Sequence, residues 1–423
     1  MKNQLFQAPR GTSDIMPEDQ PYWRSIENSM YKLTKIYGYD RIETPVFEDS
    51  GLFIRGVGED TDIIEKETYT FEDRGGNLLT LRPEGTAPIC RAYLEHGMQN
   101  KAQPVRLFYY CPMFRFDRPQ AGRYRQLNQF GIELIGEKDP SVDAEVIDLA
   151  WNFFNDLGLI ENVSLHINSI GDESCRDDYI RALQAHYTNV KTSMVHQECI
   201  RRLETNPLRL LDCKESSCQD IIQSSPSTID YLCKDCLIHW EDLLKHLEQL
   251  HIPYIIDNRL VRGLDYYTRT VFEIVPPGGI SQGTILAGGR YDGLIEQLGG
   301  NPTPGIGFAT GIERIILNLK KHDLKLNKSA GTKILVAYLG IEAQIAGIEI
   351  CSDLRSRGQA AVLAPGSRGL KSQLRYASSI QATHSVIIGT DELATQTFIL
   401  RDMASSTQTV FKKEELLKII DEA

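Results

Sequence analysis

No apolar run in this sequence is long enough to cross a bilayer, and the opening MKNQLFQAPRG lacks the contiguous hydrophobic residues of a secretory leader. A helical membrane span is excluded, and a cytoplasmic location is the expectation. Low-complexity tracts are missing too, which sets aside a disordered chain. Cysteine is sparse: nine in 423 residues are read as reduced thiols rather than a disulfide framework. An excess of basic residues is also lacking. The formal net charge is -11, from 46 Lys and Arg against 57 Asp and Glu, which at first disfavours a nucleic-acid partner because phosphate contacts come from cations. The common nucleotide-binding devices are absent. Gly288 to Gly293 has the glycine spacing of a P-loop, but Leu294 stands where the lysine is needed, and GIGFATG at 305–311 puts its last glycine one residue too far for a dinucleotide fingerprint.

What is present describes a folded chain with locally concentrated charge. A composition of 41% hydrophobic and 24% charged residues is that of a globular protein, and the length implies two or three domains. Arg355, Arg357, Arg368, Lys371 and Arg375 fall in one stretch without an acid. Arg115, Arg118, Arg123 and Arg125 are opposed only by Asp117. Local distribution counts for more than the total, so both clusters are compatible with RNA contacts at discrete places; the alternative is an ordinary solvated face.

Along the chain, Trp23, Ile26, Met30, Leu33 and Tyr37 recur at helical spacing, with Gly38 placed to end the helix. Arg41 to Phe47 alternates as a strand interrupted by Pro45. The β-rich runs RLFYYCPMFRF, QLNQFGIELIG, RTVFEIV and ISQGTILAGG predict an α+β domain over 1–325, an antiparallel sheet with helices packed on it. A helical insertion is expected from about Leu165 to Asp257. A polar linker at 326–332 precedes a small α/β domain at 333–423, where KILVAYL, AAVLA and HSVIIGT supply strands and Ile341, Ile345, Ile348 and Leu354 mark a helix.

With no glycine-rich phosphate loop, any ATP site has to be built from arginine, whose planar fork binds phosphate through two N–H groups and stays charged. Arg115 ends a strand-like run, Arg314 opens a helix, and Arg262 lies beside Tyr266 and Tyr267. Taken singly, each arginine reads as a surface ion pair. The surrounding words change that. PMFRFDRPQAGRYRQLNQFG, GFATGIER and ETPVFED resemble motifs 2, 3 and 1 of the class II aminoacyl-tRNA synthetases. RGLDYY at 262–267, AGGRYDG at 287–293, PRGTSDIMP and LRPEGTAP resemble signatures of the histidyl-tRNA synthetase family within that class. The match runs through the whole chain in family order.

The resemblance implies a class II catalytic core followed by an anticodon-binding α/β domain, acting on ATP, L-histidine and the tRNA for histidine, with Mg²⁺, as a homodimer joined through motif 1. It implies that Arg115 and Arg262 meet the α-phosphate, with Arg123 and Arg314 on the pyrophosphate end. The histidine would lie among Glu84, Gly85, Thr86, Gln129, Glu133, Tyr266 and Tyr267, with Arg115 and Arg262 beside it; Glu133 and Tyr267 would serve the ring nitrogens. Without the resemblance, Glu133 reads as a satisfied buried acid and Tyr267 as a packed aromatic. Arg118 and Gln120 would face the tRNA acceptor end, and the run Arg355, Arg357, Arg368, Lys371 and Arg375 the anticodon side. Motif 2 usually reads Arg-x-Glu, but Asp117 stands third here, with a shorter reach toward the adenine amino group. Paralogues that regulate histidine biosynthesis, or that sense uncharged tRNA, are the alternatives within this resemblance. Cys213, Cys218, Cys233 and Cys236, spaced C-x4-C and C-x2-C, are candidate ligands for one structural zinc, or are unligated thiols.

Overall fold

Trp23, Ile26, Met30 and Leu33 return at intervals of three or four, and in the computed structural model they bury one stripe of α1 (Gln20–Ile36). Gly38 follows it with φ +73°, a left-handed conformation that suits glycine. The structure describes residues 6–58, 61, 63–120, 122–190, 196–277, 283–322, 333–366 and 368–422. The expected linker at 326–332 lies outside these residues. The chain divides into two units, Met1–Leu326 and Asn327–Ala423.

In place of one interrupted strand over Arg41–Phe47, the chain forms β1 (Asp40–Arg41) and β2 (Phe47–Asp49) on either side of Pro45. The carbonyls of Thr44 and Pro45 accept instead from the Arg82 guanidinium, which also donates to the carbonyl of Pro112 at 2.9 Å. Next come α2 (Ser50–Val57), β3 (Tyr69–Glu72), β4 (Leu78–Leu81), α3 (Thr86–Glu95), β5 (Val105–Phe114), β6 (Gln126–Ile135), α4 (Pro140–Asp156) and β7 (Ser164–Ser169). Four helices follow: α5 (Glu173–Val190), α6 (Gln197–Thr205), α7 (Ser216–Gln223) and α8 (Lys234–Gln249). The unit ends with β8 (Ile255–Ile256), β9 (Thr268–Val275), β10 (Leu286–Arg290), α9 (Leu294–Gln297), β11 (Gly305–Gly311) and α10 (Ile312–Lys321).

Eight strands form the main sheet in the order β1-β5-β6-β11-β10-β9-β7-β8, antiparallel except for the parallel end pairs β1 with β5 and β7 with β8. A small sheet, β2-β4-β3, stands apart. Alternation along the strands sorts the two faces of the main sheet. Phe130, Ile132 and Leu134 of β6, Phe308 of β11 and Phe272 of β9 join one core with residues of α1, α4, α8 and α10. Gln129, Gly131 and Glu133 of β6 occupy the opposite face.

The insertion is narrower than the sequence suggests. Residues 164–169 are a strand of the main sheet, and Trp240, Leu243 and Leu247 bring α8 into the core beside α4. Both β7 and α8 therefore pack with the main sheet and its core rather than apart from it.

In the second unit β12 (Lys333–Tyr338), α11 (Ile341–Ser356), β13 (Ala360–Leu363), α12 (Leu370–Ser379), β14 (His384–Ile388), α13 (Thr390–Thr395), β15 (Thr397–Asp402), β16 (Gln408–Lys412) and α14 (Lys413–Glu422) follow in order. The sheet runs β13-β12-β14-β15-β16; its first three strands are parallel and β15 and β16 antiparallel. The helix marked by isoleucines is present, yet Ile341, Ile345 and Ile348 are 77%, 59% and 55% exposed. Its buried stripe is Ala343, Gly347, Ile350, Cys351 and Leu354. Small residues win because the helix sits close to the sheet: a Cβ on Gly347 would lie 3.0 Å from Leu363.

A charged network ties the large unit together. Arg290 of β10 and Asp143 of α4 are fully buried with nitrogen and oxygen 2.6 Å apart; Thr270 of β9 donates to Asp143 at 2.6 Å, and His239 of α8 lies 3.5 Å from it. Burial lowers the His239 pKa. Removing one partner of such a pair strands the other charge, at a cost of about 3–5 kcal/mol. Asp143→Ala is therefore expected to lower the thermal unfolding midpoint of the large unit markedly, whereas an unchanged midpoint in calorimetry would deny the network that role.

Candidate active site

The face of the main sheet opposite α1, α4, α8 and α10 opens into a cavity of about 1190 Å³. Its floor depends on glycine. Tyr109 of β5 pairs with Gly131 of β6, and Glu133 of β6 pairs with Gly307 of β11. A Cβ on Gly131 would lie 2.4 Å from the Tyr109 ring, and one on Gly307 2.2 Å from Glu133 Oε2. The missing side chains are what let a tyrosine and a carboxylate lie flat there.

Around that floor the structure gathers a polar pocket. Glu133 accepts from Thr86 Oγ1 at 2.7 Å and from the Tyr291 hydroxyl at 2.6 Å. Burial pushes its pKa up to about 8, against the lowering effect of those two donors. Glu84 accepts from the backbone N–H groups of Thr86 and Ala87, at 2.7 and 2.9 Å, at the start of α3, and burial raises its pKa too. Gly85, between them, has to be glycine because a Cβ would meet the Tyr109 ring at 2.5 Å. Gln129, Tyr266 and Tyr267 line the same cavity, with the Tyr266 hydroxyl 3.5 Å from Glu84.

Five arginines line the cavity; Arg259 is paired with Asp257, and the other four are Arg115, Arg123, Arg262 and Arg314. Arg115 donates to the Pro83 carbonyl at 2.8 Å, and Arg314 to the carbonyls of Gly122, at 3.0 Å, and Thr284. Burial, and then the charges of Arg123 and Arg115, lower the Arg314 pKa; like charges are being held close. Arg262 is ion-paired with Glu273, which also accepts from Thr284 at 2.6 Å, and its guanidinium lies 5.4 Å from the centre of the Tyr267 ring. Its Nε is buried without a hydrogen-bond partner. Asp117 reaches the cavity and sits 3.3 Å from Arg123.

Other expected residues do not join this group. Gln120 reaches the cavity, bridged to Arg123, but Arg118 is exposed outside the lining. In the second unit the basic run is split. Arg355 and Arg357 lie where α11 leads into β13, while Arg368, Lys371 and Arg375 follow the other end of that strand. The four cysteines expected to hold one zinc fall into two groups. Cys213 and Cys218 meet His196 and Cys199; Cys233 and Cys236, at the start of α8, meet Asp172 and Cys175. Because α8 packs with the catalytic helices and α7 does not, the two pairs are carried apart.

Sequence reasoning passed over several residues. Tyr291 and Glu313 stand inside strings already singled out, AGGRYDG and GFATGIER; Glu313 accepts from Asn128 at 2.8 Å and its other oxygen is buried without a partner. Glu273 was visible as a lone carboxylate in RTVFEIV. Thr284 and Tyr109 gave no signal.

The raised Glu133 pKa has a definite sign. Between the ordinary 4.5 and about 8 the unfolded chain ionises while the folded chain keeps its proton, so stability falls as pH rises through that window and levels off above it. Glu133→Gln removes the penalty. Its thermal midpoint is expected to exceed that of the native chain by an amount that grows from pH 5 to pH 8; a gain that shrinks over that range would contradict the assigned burial.

Comparison with known proteins follows the same lines. A family model described as histidyl-tRNA synthetase matches residues 11–315, and one described as anticodon binding domain matches residues 333–423. A histidine–tRNA ligase of Dehalococcoides mccartyi is 53% identical, covering 98% of each chain, and one of Pelotomaculum thermopropionicum is 47% identical, covering 99% of this chain and 98% of its own. The apo crystal structure of the Staphylococcus aureus histidyl-tRNA synthetase superposes with a TM-score of 0.83 at 36% identity, covering 99% of this chain and 100% of that one. With its arginine-lined cavity, its glycine floor and these matches along nearly its full length, the chain belongs to the histidyl-tRNA synthetase family, ligases that join histidine to tRNA.

Proposed function

We propose that this chain activates histidine with ATP in the cavity described above and then transfers it to the 3′ end of its tRNA, with the four arginines as the catalytic and binding charges. The histidine side chain meets Glu133 and Tyr267, and its α-amino group meets Glu84, Thr86 and Gln129. The histidine carboxylate attacks the α-phosphorus in line, a bond to pyrophosphate breaks, and histidyl-adenylate forms. Arg115 and Arg262 neutralise the charge that builds on the α-phosphate, while Arg123 and Arg314 hold the departing pyrophosphate. The terminal ribose hydroxyl of the tRNA then attacks the acyl carbon and AMP leaves. Arg118 and Gln120 meet the acceptor end, and the basic residues of the second unit meet the anticodon side.

One observation carries this reading: the cationic cluster is under-compensated. Asp117 is ion-paired with Arg123 and Glu273 with Arg262, whereas Arg115 and Arg314 donate to backbone carbonyls and, among the described residues, have no ion pair; Arg262 also keeps an N–H without a partner, so this side of the cavity suits a polyanion. Glu313 fits a hard cation, since its partnerless buried oxygen lies at the same cavity. Glu313 would hold Mg²⁺ there, and the ion would supply positive charge to ATP's phosphates. The pocket for the imidazole is polar and buried, and a site of that kind rejects analogues that leave its groups unpaired by roughly 10⁴ or more.

Homodimerisation is proposed through the small sheet. Phe47 of the motif 1 segment and Phe71 are 50% and 42% exposed on one face of it, with their rings 6.3 Å apart. Apolar side chains gathered on an exposed sheet face suit a partner surface. Phe47→Asp is expected to move the protein from dimer to monomer in light scattering, and a native chain that is already monomeric would end this part of the proposal.

ATP–pyrophosphate exchange with a panel of amino acids tests the rest. Exchange with histidine alone is expected; none with any amino acid would favour a regulatory or tRNA-sensing paralogue. Arg262→Ala should lower histidine-dependent exchange by about a hundredfold or more with the chain still folded, and undiminished exchange would remove Arg262 from the mechanism.

A further inference from the structure

His196 stands just before α6, Cys199 in its first turn, Cys213 in the turn before α7 and Cys218 within α7. Spaced H-x2-C and C-x4-C, these residues bring one imidazole nitrogen and three sulfurs within 4.8 Å of one another. All three cysteines are buried and the histidine half-buried.

The distances carry a specific geometry. A tetrahedral zinc ion has Zn–S bonds of about 2.3 Å and Zn–N bonds of about 2.0–2.1 Å, so its ligand atoms stand about 3.8 Å apart for two sulfurs and about 3.5 Å apart for nitrogen and sulfur. Here Cys199 Sγ and Cys218 Sγ are 3.7 Å apart, and His196 Nδ1 lies 3.3 Å from Cys199 Sγ and 3.6 Å from Cys213 Sγ. A disulfide would need about 2.05 Å between sulfurs. Three buried thiols packed only for volume have no reason to turn toward one imidazole at the edge lengths of a coordination tetrahedron.

We infer that His196, Cys199, Cys213 and Cys218 bind one zinc ion. Three thiolates and one imidazole form a soft donor set that favours Zn²⁺ over Mg²⁺ or Ca²⁺. Four protein ligands leave no open position, so the ion is structural. It joins α6, α7 and the turn between them, a part of the chain whose helices are short. Leu211, Asp212, Cys213 and Lys214 in that turn also line the large cavity, so the metal fixes one wall of the active site.

The second group, Asp172, Cys175, Cys233 and Cys236, is as close-set but already occupied by protein partners. Asp172 takes the guanidinium of Arg269 at 3.1 Å and the hydroxyl of Ser174, and Cys233 Sγ accepts from the backbone N–H of Cys236 at 3.5 Å. The proposal does not extend to it.

Metal analysis of the full-length protein, purified without chelator, tests the inference. One equivalent of zinc is expected, lost in the Cys199→Ser, Cys218→Ser double variant. In cobalt-substituted protein, thiolate-to-metal charge-transfer absorption should show three thiolates, rising by about a third in His196→Cys, which adds a fourth while keeping the metal. That second measurement holds even if the double variant fails to fold. Zinc-free native protein, zinc that survives the double variant, a Cys199–Cys218 disulfide in place of metal, or cobalt absorption unchanged by His196→Cys would each overturn the assignment.

Discussion

The register between β6 and β11 is the constraint from which the site follows. Pairing Glu133 with Gly307 points Phe130, Ile132 and Leu134 into the helical core and Gln129, Gly131 and Glu133 into the cavity. A slip of one residue would exchange the two faces, burying polar groups under α4 and lining the cavity with leucine and phenylalanine. The glycines make the register usable, since at both 131 and 307 any side chain would collide with Tyr109 or Glu133.

Buried charge is handled in two contrasting ways. Arg290 meets Asp143, Asp292 and two backbone carbonyls, and Arg82 is held by carbonyls of three residues, so neither has donors aimed into open space. Among the cavity arginines, Arg314 has its pKa lowered by burial first and then by the charges of Arg123 and Arg115. Satisfied cations hold the scaffold, and unsatisfied ones await a ligand. Glu133 is buried too, among tyrosines and a threonine, and burial raises its pKa to about 8.

Much of this was legible in the residues because the fold repeats local rules. Alternating runs became the central strands, α1 carried its stripe as spaced, and the motif strings supplied the four arginines that share the cavity. What escaped was whatever depends on contact between distant segments. Periodicity cannot tell that Ile345 and Ile348 face outward while Gly347 seats α11 on its sheet, because the choice is made by closeness of approach rather than hydrophobicity. Spacing grouped Cys213 and Cys218 with Cys233 and Cys236, whereas packing of α8 against α4 separated them and brought in His196 and Asp172, which no cysteine pattern announces. Glu273 was written plainly in its strand, but its purpose appears only when Arg262 arrives beside it.

β7 and β8 lie side by side at one end of the main sheet, and α8, just before β8, is already seated in the core, so the appended segment is the chain between β7 and α8. A segment attached there can change length without pulling on β6, the strand that carries Glu133. Its grip on the reaction is instead through side chains: Arg176 donates to the Tyr267 carbonyl at 2.6 Å, Arg209 to that of Gly263 at 3.1 Å, and Asn206 to Asp265 at 3.0 Å. All three clasp the RGLDYY loop, which makes this appendage a handle on Arg262, Tyr266 and Tyr267 at the cavity rather than a pillar of the sheet.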